Sequence, residues 1–411
     1  MIIERVDRFE DFEQLRPAWD AMYRSDPEAH FFMSWKWLSG ALQTHPGAWF
    51  VLVARDGDGG CLGFLPLARE TVWSRTGERL RDELEFAGRL FWADYSGVLC
   101  PPEYEDIVLR AFASHLKEMN WSHLYLKGFR VSDRRYEMFM EPFADERLEI
   151  EPRTSFGNEG VTDNLICPYI DLPDTFEAYL TEKLGPSTRQ KVRRFMRKVE
   201  SSSEYRITTP TAETRARDLQ VLGDLWRMKW ESAKGSRTDY LVKTTRVIVG
   251  RGLDDGIVHM PILWHGERPV CVLASFTDWE KSRLLFFVAG RDEGFDELPV
   301  GLVLHAWNIR WAIEHGLRTY DLLRGDEPYK RSLGAATDVR LKYPLIRTRS
   351  GVNLNDSLDP GGLTDALRIA DRFATQKQPL ETMTALYQVM ESLAGPETAR
   401  TLIETLNASL K

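Results

Sequence analysis

A chain of 411 residues, 43% hydrophobic and 28% charged, is long enough for two cores, because single cores stop growing near ~250–300 residues. Its 62 acidic residues against 54 Lys and Arg leave a net charge of −8, which excludes a protein that coats nucleic acid through a generally basic surface; no DNA partner is expected. The four cysteines, Cys61, Cys100, Cys167 and Cys271, form no C-x-x-C pair or Cys/His cluster at metal-ligand spacing, so reduced thiols and no metal are expected.

The opening MIIERVDRFEDFEQL has acidic residues where an export signal needs an apolar stretch, and no run approaches the ~20 apolar residues that span a bilayer. A cytoplasmic protein without a transmembrane segment is expected. Residues 1–7 read as an edge strand, and Phe9, Phe12, Leu15 and Trp19 recur at helical spacing. FFMSWKWLSGAL (31–42) predicts a second helix with Ser34 as N-cap. Trp49 to Ala54 and Leu62 to Ala68 flank Asp56-Gly57-Asp58-Gly59 and predict a hairpin. Leu84 to Ala87 and Gly97 to Cys100 read as strands, Ile107 to Met119 as an amphipathic helix, and Leu124 to Leu126 as a strand ending at Lys127-Gly128.

The second half repeats this order. Ile257 to Trp264 and Val270 to Phe276 flank a turn at 265–269, Leu284 to Ala289 adds a strand, Val303 to Glu314 a helix, and Tyr320 to Leu323 a strand ending at Arg324-Gly325. Paired strands followed by a helix and a further strand make a mixed α/β sheet, here present twice. Pro152, Gly157, Gly160 and Pro168 mark the boundary. The expected domains are 1–155 and 165–347, the latter the catalytic one, with 348–411 a linker, SGVNLNDSLDPGG, and a tail of three short helices broken at Gln378-Pro379 and Gly395-Pro396.

Two segments carry polar chemistry. In RQKVRRFMRK (189–198) six of ten residues are Lys or Arg, while Val192, Phe195, Met196 and Val199 keep helical spacing, so an apolar stripe packs and a basic face points outward. That face is either plain solvated surface or, through Arg189, Arg193 and Arg194, a source of guanidinium groups for phosphate. In YDLLRGDEPYKRSLG (320–334), Asp321, Arg324, Tyr329 and Lys330 cluster at a strand's carboxyl end, where open α/β sheets place ligands. Upstream, Arg291 and the glycines through Gly301 precede a helix N-terminus, which favours a pyrophosphate. No G-x-S-x-G elbow occurs, the eight His are scattered, and His305 on its apolar helix reads as a packing residue.

At these residues the chain resembles the CelD-like acyltransferases, a family named for cellulose biosynthesis within the GNAT superfamily and related to the FemAB-like peptidyltransferases. The resemblance spans residues 1–347 and rests on FFMSWKWL, on Asp94-Tyr95, on the helix with Ser187, Arg189, Arg193 and Arg194, and on the P-V-G-L-V-L helix followed by D-L-L-R-G-D-E-P-Y-K. It implies two tandem GNAT-like domains and transfer of an acyl group, acetyl being the one expected, from an acyl-CoA to an amine or hydroxyl of a small-molecule or saccharide acceptor. On that reading Asp321 is the general base, Arg324 and Lys330 hold anionic groups, and Tyr329 protonates the leaving thiolate. Arg189, Arg193, Arg194, Arg291 and Gly301 then hold the donor, and Asp94, Tyr95 and Trp35 the acceptor. Two rivals share the fold: an aminoacyl-tRNA-dependent peptidyltransferase, and a non-catalytic member of a polysaccharide-synthesis complex whose surface is Phe31, Trp35, Trp37, Phe91, Trp92 and Tyr95.

Overall fold

The architecture is that of a computed structural model, which describes residues 1–45, 47–88 and 92–395. The chain divides into two compact units, one of Met1–Thr154 with Leu341–Lys411, the other of Ser155–Arg340. Strand β1 (Ile2–Val6) leads into α1 (Phe9–Gln14), α2 (Arg16–Ser25) and α3 (Trp35–Gln43). Ser34 caps α3 as its sequence predicts, its hydroxyl accepting from Trp37 N at 3.3 Å. β2 (Ala48–Arg55), β3 (Cys61–Ser74) and β4 (Arg79–Phe86) form a meander, its first turn closed by Asp56, whose Oδ1 accepts from Asp58 N and Gly60 N. Then come α4 (Glu105–Glu118), β5 (His123–Tyr125), α5 (Asp133–Met140) and β6 (Leu148–Pro152). The strand expected at 97–100 is a correction: Leu99 makes a single bridge to Phe64, and Ser96 another to Phe129, so this stretch crosses the sheet without joining its ladder.

In the second unit a two-stranded ribbon, β7 (Phe156–Gly157) with β8 (Thr162–Asp163), precedes β9 (Ile166–Asp171). α6 (Phe176–Ala178), α7 (Pro186–Ser201), β10 (Tyr205–Thr208), α8 (Arg215–Lys234) and α9 (Thr238–Asp254) follow. β11 (Val258–His259) and β12 (Ile262–His265) both pair with β13 (Arg268–Asp278), which pairs with β14 (Arg283–Arg291). The unit ends with α10 (Val300–Glu314), β15 (Thr319–Asp321), α11 (Pro328–Ser332) and β16 (Thr337–Arg340). Its strand order is β10-β12-β13-β14-β15-β9-β16. α10 is buried along Val303, Leu304, Ala306, Ile309 and Ala312, and α7 packs Val192, Met196 and Val199 into the same core, as its apolar stripe predicts. On the other side α8 presses on β14 so closely at Gly290 that a Cβ there would lie 2.7 Å from Leu225 Cβ and Trp226 N.

The chain then returns to the first unit. β17 (Pro344–Thr348) inserts antiparallel between β5 and β6, giving the order β1-β2-β3-β4-β5-β17-β6. Residues 344–347, grouped by sequence with the second domain, therefore belong to the first sheet. The stretch expected as a linker is built into that unit too. Asn353 Nδ2 donates to Asp82 Oδ2 at 3.0 Å, Asp359 N donates to the same oxygen at 2.8 Å, and Arg5 and Arg69 pair with Asp359. α12 (Leu363–Thr375) and α13 (Pro379–Ala394) cover Leu80 with Ala366, Ala370, Ala385 and Val389. The third helical segment expected beyond Pro396 lies outside the described residues. No disulfide joins the four cysteines.

Candidate functional site

The two sheets follow the chain in the same order over their first five positions, β1-β2-β3-β4-β5 and β10-β12-β13-β14-β15, and share one irregularity: every neighbouring pair on the main path is antiparallel except β4 with β5 and β14 with β15. In the second unit the parallel pairing lasts three residues, Arg283 with Thr319, Leu284 with Tyr320 and Leu285 with Asp321. β14 then runs on to Arg291 against β13, while β15 stops. The two strands part, and the segment singled out by sequence begins at the parting.

That segment is a tightly held loop. Asp321, 1% exposed, accepts from Leu323 N through Oδ1 at 2.9 Å, and its Oδ2 lies 4.0 Å from Arg283. Leu323 has φ +55° and Gly325 φ +98°. The φ of Gly325 is one that residues with a Cβ rarely adopt, so glycine is favoured there. Lys330 is the staple. Its ammonium, 2% exposed, donates to the carbonyls of Arg324 at 2.6 Å, Gly325 at 2.9 Å and Leu323 at 3.4 Å, and pairs with Glu327 at 3.0 Å. This corrects the expectation that Lys330 grips an anionic ligand: its donors are committed to the loop's own carbonyls. Asp321 likewise closes a turn. Arg324 is half-buried and lends its carbonyl to the staple.

Tyr329 sits differently. It occupies the first turn of α11, 43% exposed, with its ring 6.1 Å from that of His305. Its phenol is pushed well above the ordinary tyrosine range by desolvation, then by the nearby Glu327 carboxylate and Tyr320. Behind it lies a polar chain that the sequence did not reveal as a site. His305 Nδ1 is 2.8 Å from Tyr320 OH, and Asn308 Nδ2 is 3.2 Å from Tyr320 OH and 3.1 Å from Ser275 Oγ. The i, i+3 spacing of His305 and Asn308 among the apolar residues of α10 was the available signal.

The other expected residues fall into three places. Arg189, Arg193 and Arg194, with Arg197, Pro186 and Gln190, line a shallow groove of about 250 Å³ on α7 whose lining includes none of residues 320–330. Arg193 pairs with Glu177, and Arg194 lies over Phe195 at 4.8 Å. Arg291 is held by Glu293 through two bonds of 2.9 and 3.0 Å, and Asp292 closes that loop on Gly294 N at 2.9 Å. Gly301 is the second residue of α10, which has no side-chain cap, and a Cβ built there would meet nothing within 4 Å. The first-unit set is corrected. Trp35 stacks on Phe12 at 4.4 Å, and Tyr95, 1% exposed, packs edge-on to His30 and Phe32, so both are core rings. Phe31 and Trp37 are buried with them; Asp94 is half-buried, and Phe91 lies outside the described residues.

Residues 186–331 match the family model described as an acetyltransferase (GNAT) domain, a span that takes in α7, the parting strands and α11. The second unit has a GNAT-like fold. The five-strand order repeated in the first unit, with the parallel pair in the same place, makes it a second GNAT-like unit, as expected from the sequence. No curated protein matches the chain. Among solved structures, FemX superposes with a TM-score of 0.56 at 10% identity, over 83% of this chain and 96% of FemX. A conserved protein of unknown function from Bacteroides thetaiotaomicron gives 0.50 at 13% identity, over 85% of this chain and 100% of that one. Both share the fold of this chain over most of its length. Among the described residues no group of His, Cys, Asp and Glu could hold a metal ion, and no helix is long and apolar enough to cross a membrane.

Proposed function

We propose that this protein is a GNAT-type acyltransferase that takes an acyl group, acetyl on the simplest reading, from an acyl-CoA and passes it to an amine or hydroxyl acceptor. The observation that carries the reading is the parting of β14 and β15 inside the matched GNAT span, with Tyr329 beside it. A donor thioester lies along the exposed edge of β14, and its pyrophosphate meets the uncapped N-terminus of α10, where Gly301 leaves room. The acceptor attacks the thioester carbonyl, the C–S bond breaks, the departing thiolate takes the Tyr329 proton, and the proton released from the acceptor's N–H or O–H goes to solvent, which returns one to the Tyr329 phenolate. The phenol is protonated at neutral pH and so has a proton to give, although a pKa above the ordinary range makes it a weaker acid, not a stronger one. Asp321 and Lys330 are assigned to building the loop that presents Tyr329, not to the chemistry. The CelD-like resemblance points to a saccharide or other cell-envelope acceptor.

A second reading, transfer from an aminoacyl-tRNA as in the FemAB-like group, is favoured by the four arginines on the α7 groove, which suit a longer polyanion. A thermal-shift panel of acyl-CoAs, free CoA and aminoacyl-tRNA separates the two, because a ligand specific to the folded state raises the melting temperature. Stabilisation by acyl-CoA at low micromolar concentration supports the first reading. Stabilisation by aminoacyl-tRNA alone, abolished by ribonuclease, replaces it with the second.

A further inference from the structure

Four polar side chains meet inside the core of the second unit. Ser275 on β13, His305 and Asn308 on α10 and Tyr320 on β15 are each at most 5% exposed and are joined by the three hydrogen bonds described above. Burying such a chain is unfavourable unless its bonds are made, and Asn308 Oδ1 nevertheless has no hydrogen-bond partner. Apolar side chains of the same volume would fill the space without that penalty. The imidazole is bounded by three rings: Phe286 at 4.7 Å, Tyr320 at 6.0 Å and Tyr329 at 6.1 Å. Phe286 is the first residue of β14 beyond its pairing with β15, so the ring lies at the parting of the strands.

The Asn308 amide donates to the Tyr320 oxygen, and with the Tyr320 proton given to His305 Nδ1 the imidazole carries its own proton on Nε2. The ring is neutral as well. Burial lowers its pKa to about 3, and the Lys330 and Lys229 ammonium groups act in the same direction. The titratable groups facing it are Tyr320 from β15, Tyr329 and Lys330 from α11, and Lys229 from α8.

We infer that Ser275, Asn308 and Tyr320 lock His305 as a neutral, Nε2-protonated imidazole, and that this ring is a positioning residue for Tyr329. The inference rests on the proposed function only for the task of Tyr329; the state of the ring is independent of it. The full chain labelled with 15N-histidine and 13Cζ-tyrosine tests both parts by NMR, with His305→Gln and Tyr329→Phe assigning the two signals. The expected spectrum has a His305 Nε2–H tautomer that does not titrate between about pH 5 and 8, below and above the ordinary histidine value. Tyr320→Phe, which keeps the ring volume, should move the His305 Nδ1 signal, and both Tyr320→Phe and His305→Gln should displace the Tyr329 13Cζ signal while the distant tyrosines stay. A His305 that titrates near its ordinary value, or an Nδ1–H tautomer, overturns the lock. A Tyr329 signal unchanged in both variants overturns the positioning role. If His305→Gln does not fold, Tyr320→Phe alone decides. No acyl donor is needed, so a protein that binds none defeats the proposed function and leaves this result standing.

Discussion

Lys330 and Tyr329 are adjacent in sequence and meet opposite conditions, one 2% and the other 43% exposed. Lys330→Met would leave three carbonyls and Glu327 facing an apolar chain, so unfolding stability should fall by about 2–4 kcal/mol in urea titrations. A loss below about 0.5 kcal/mol would show that the staple is not structural. Tyr329→Phe should leave stability within about 0.5 kcal/mol and lower kcat by about 10²-fold once the donor is known. Equal turnover in the two proteins would remove Tyr329 from the chemistry. The cluster of four polar residues was legible in the sequence, but its division of labour was not. A lysine can reach back five to seven residues to its own loop, and no spacing rule distinguishes that from reaching toward a ligand.

At the scale of elements, α10 and the strands it covers bury two histidines. His305 is described above; His259 on β11 stacks on Trp311 at 3.6 Å, and burial lowers its pKa to about 3. In the unfolded chain both return to about 6.5, so on acidification the unfolded state takes protons first. Their contribution to stability is therefore complete above about pH 6.5 and is lost as pH falls toward about 3, on the order of 1.4 kcal/mol per pKa unit for each ring. Urea midpoints should drop between pH 7 and 5, and His259→Gln should flatten the slope; a midpoint independent of pH over that range would contradict this. The elements themselves were largely legible, because period 3.6 along α7 and α10 and turn residues at Asp56–Gly59 are local signals. Gly97–Cys100 misled for the same reason: its apolar run reads as a strand, but only the neighbours it meets decide whether a ladder forms.

At the scale of the whole molecule, the likeness of the two halves was legible and the path of the chain was not. A five-residue strand such as Pro344–Thr348 carries no address, and its place between β5 and β6 is fixed by partners about 200 residues earlier. The buried partners of Asp82, contributed by Asn353 and Asp359, are equally remote and sit in a stretch whose composition reads as a linker. Since Pro152 and Pro344 face each other across the ladder, joining Thr154 to Leu341 through a short Gly-rich turn should give a first unit that unfolds cooperatively. Residues 155–340 alone should do the same. Residues 1–154 alone should not, lacking β17 and the covering helices; cooperative unfolding of that fragment by calorimetry would refute the dependence.

The late arrival of β17 also sets a timetable for synthesis. The segment Met1–Thr154 leaves the ribosome first, but its sheet cannot close until Leu341 onward has been made, about 10–40 s later at ~5–20 residues per second. The unit in between has all its strands by Arg340 and can be finished while its predecessor waits. For that interval β5 and β6 present open edges, the kind of surface that pairs with other chains or is shielded by chaperones. A protein whose first-made half is the last to close should be sensitive to anything that stalls translation between its two units.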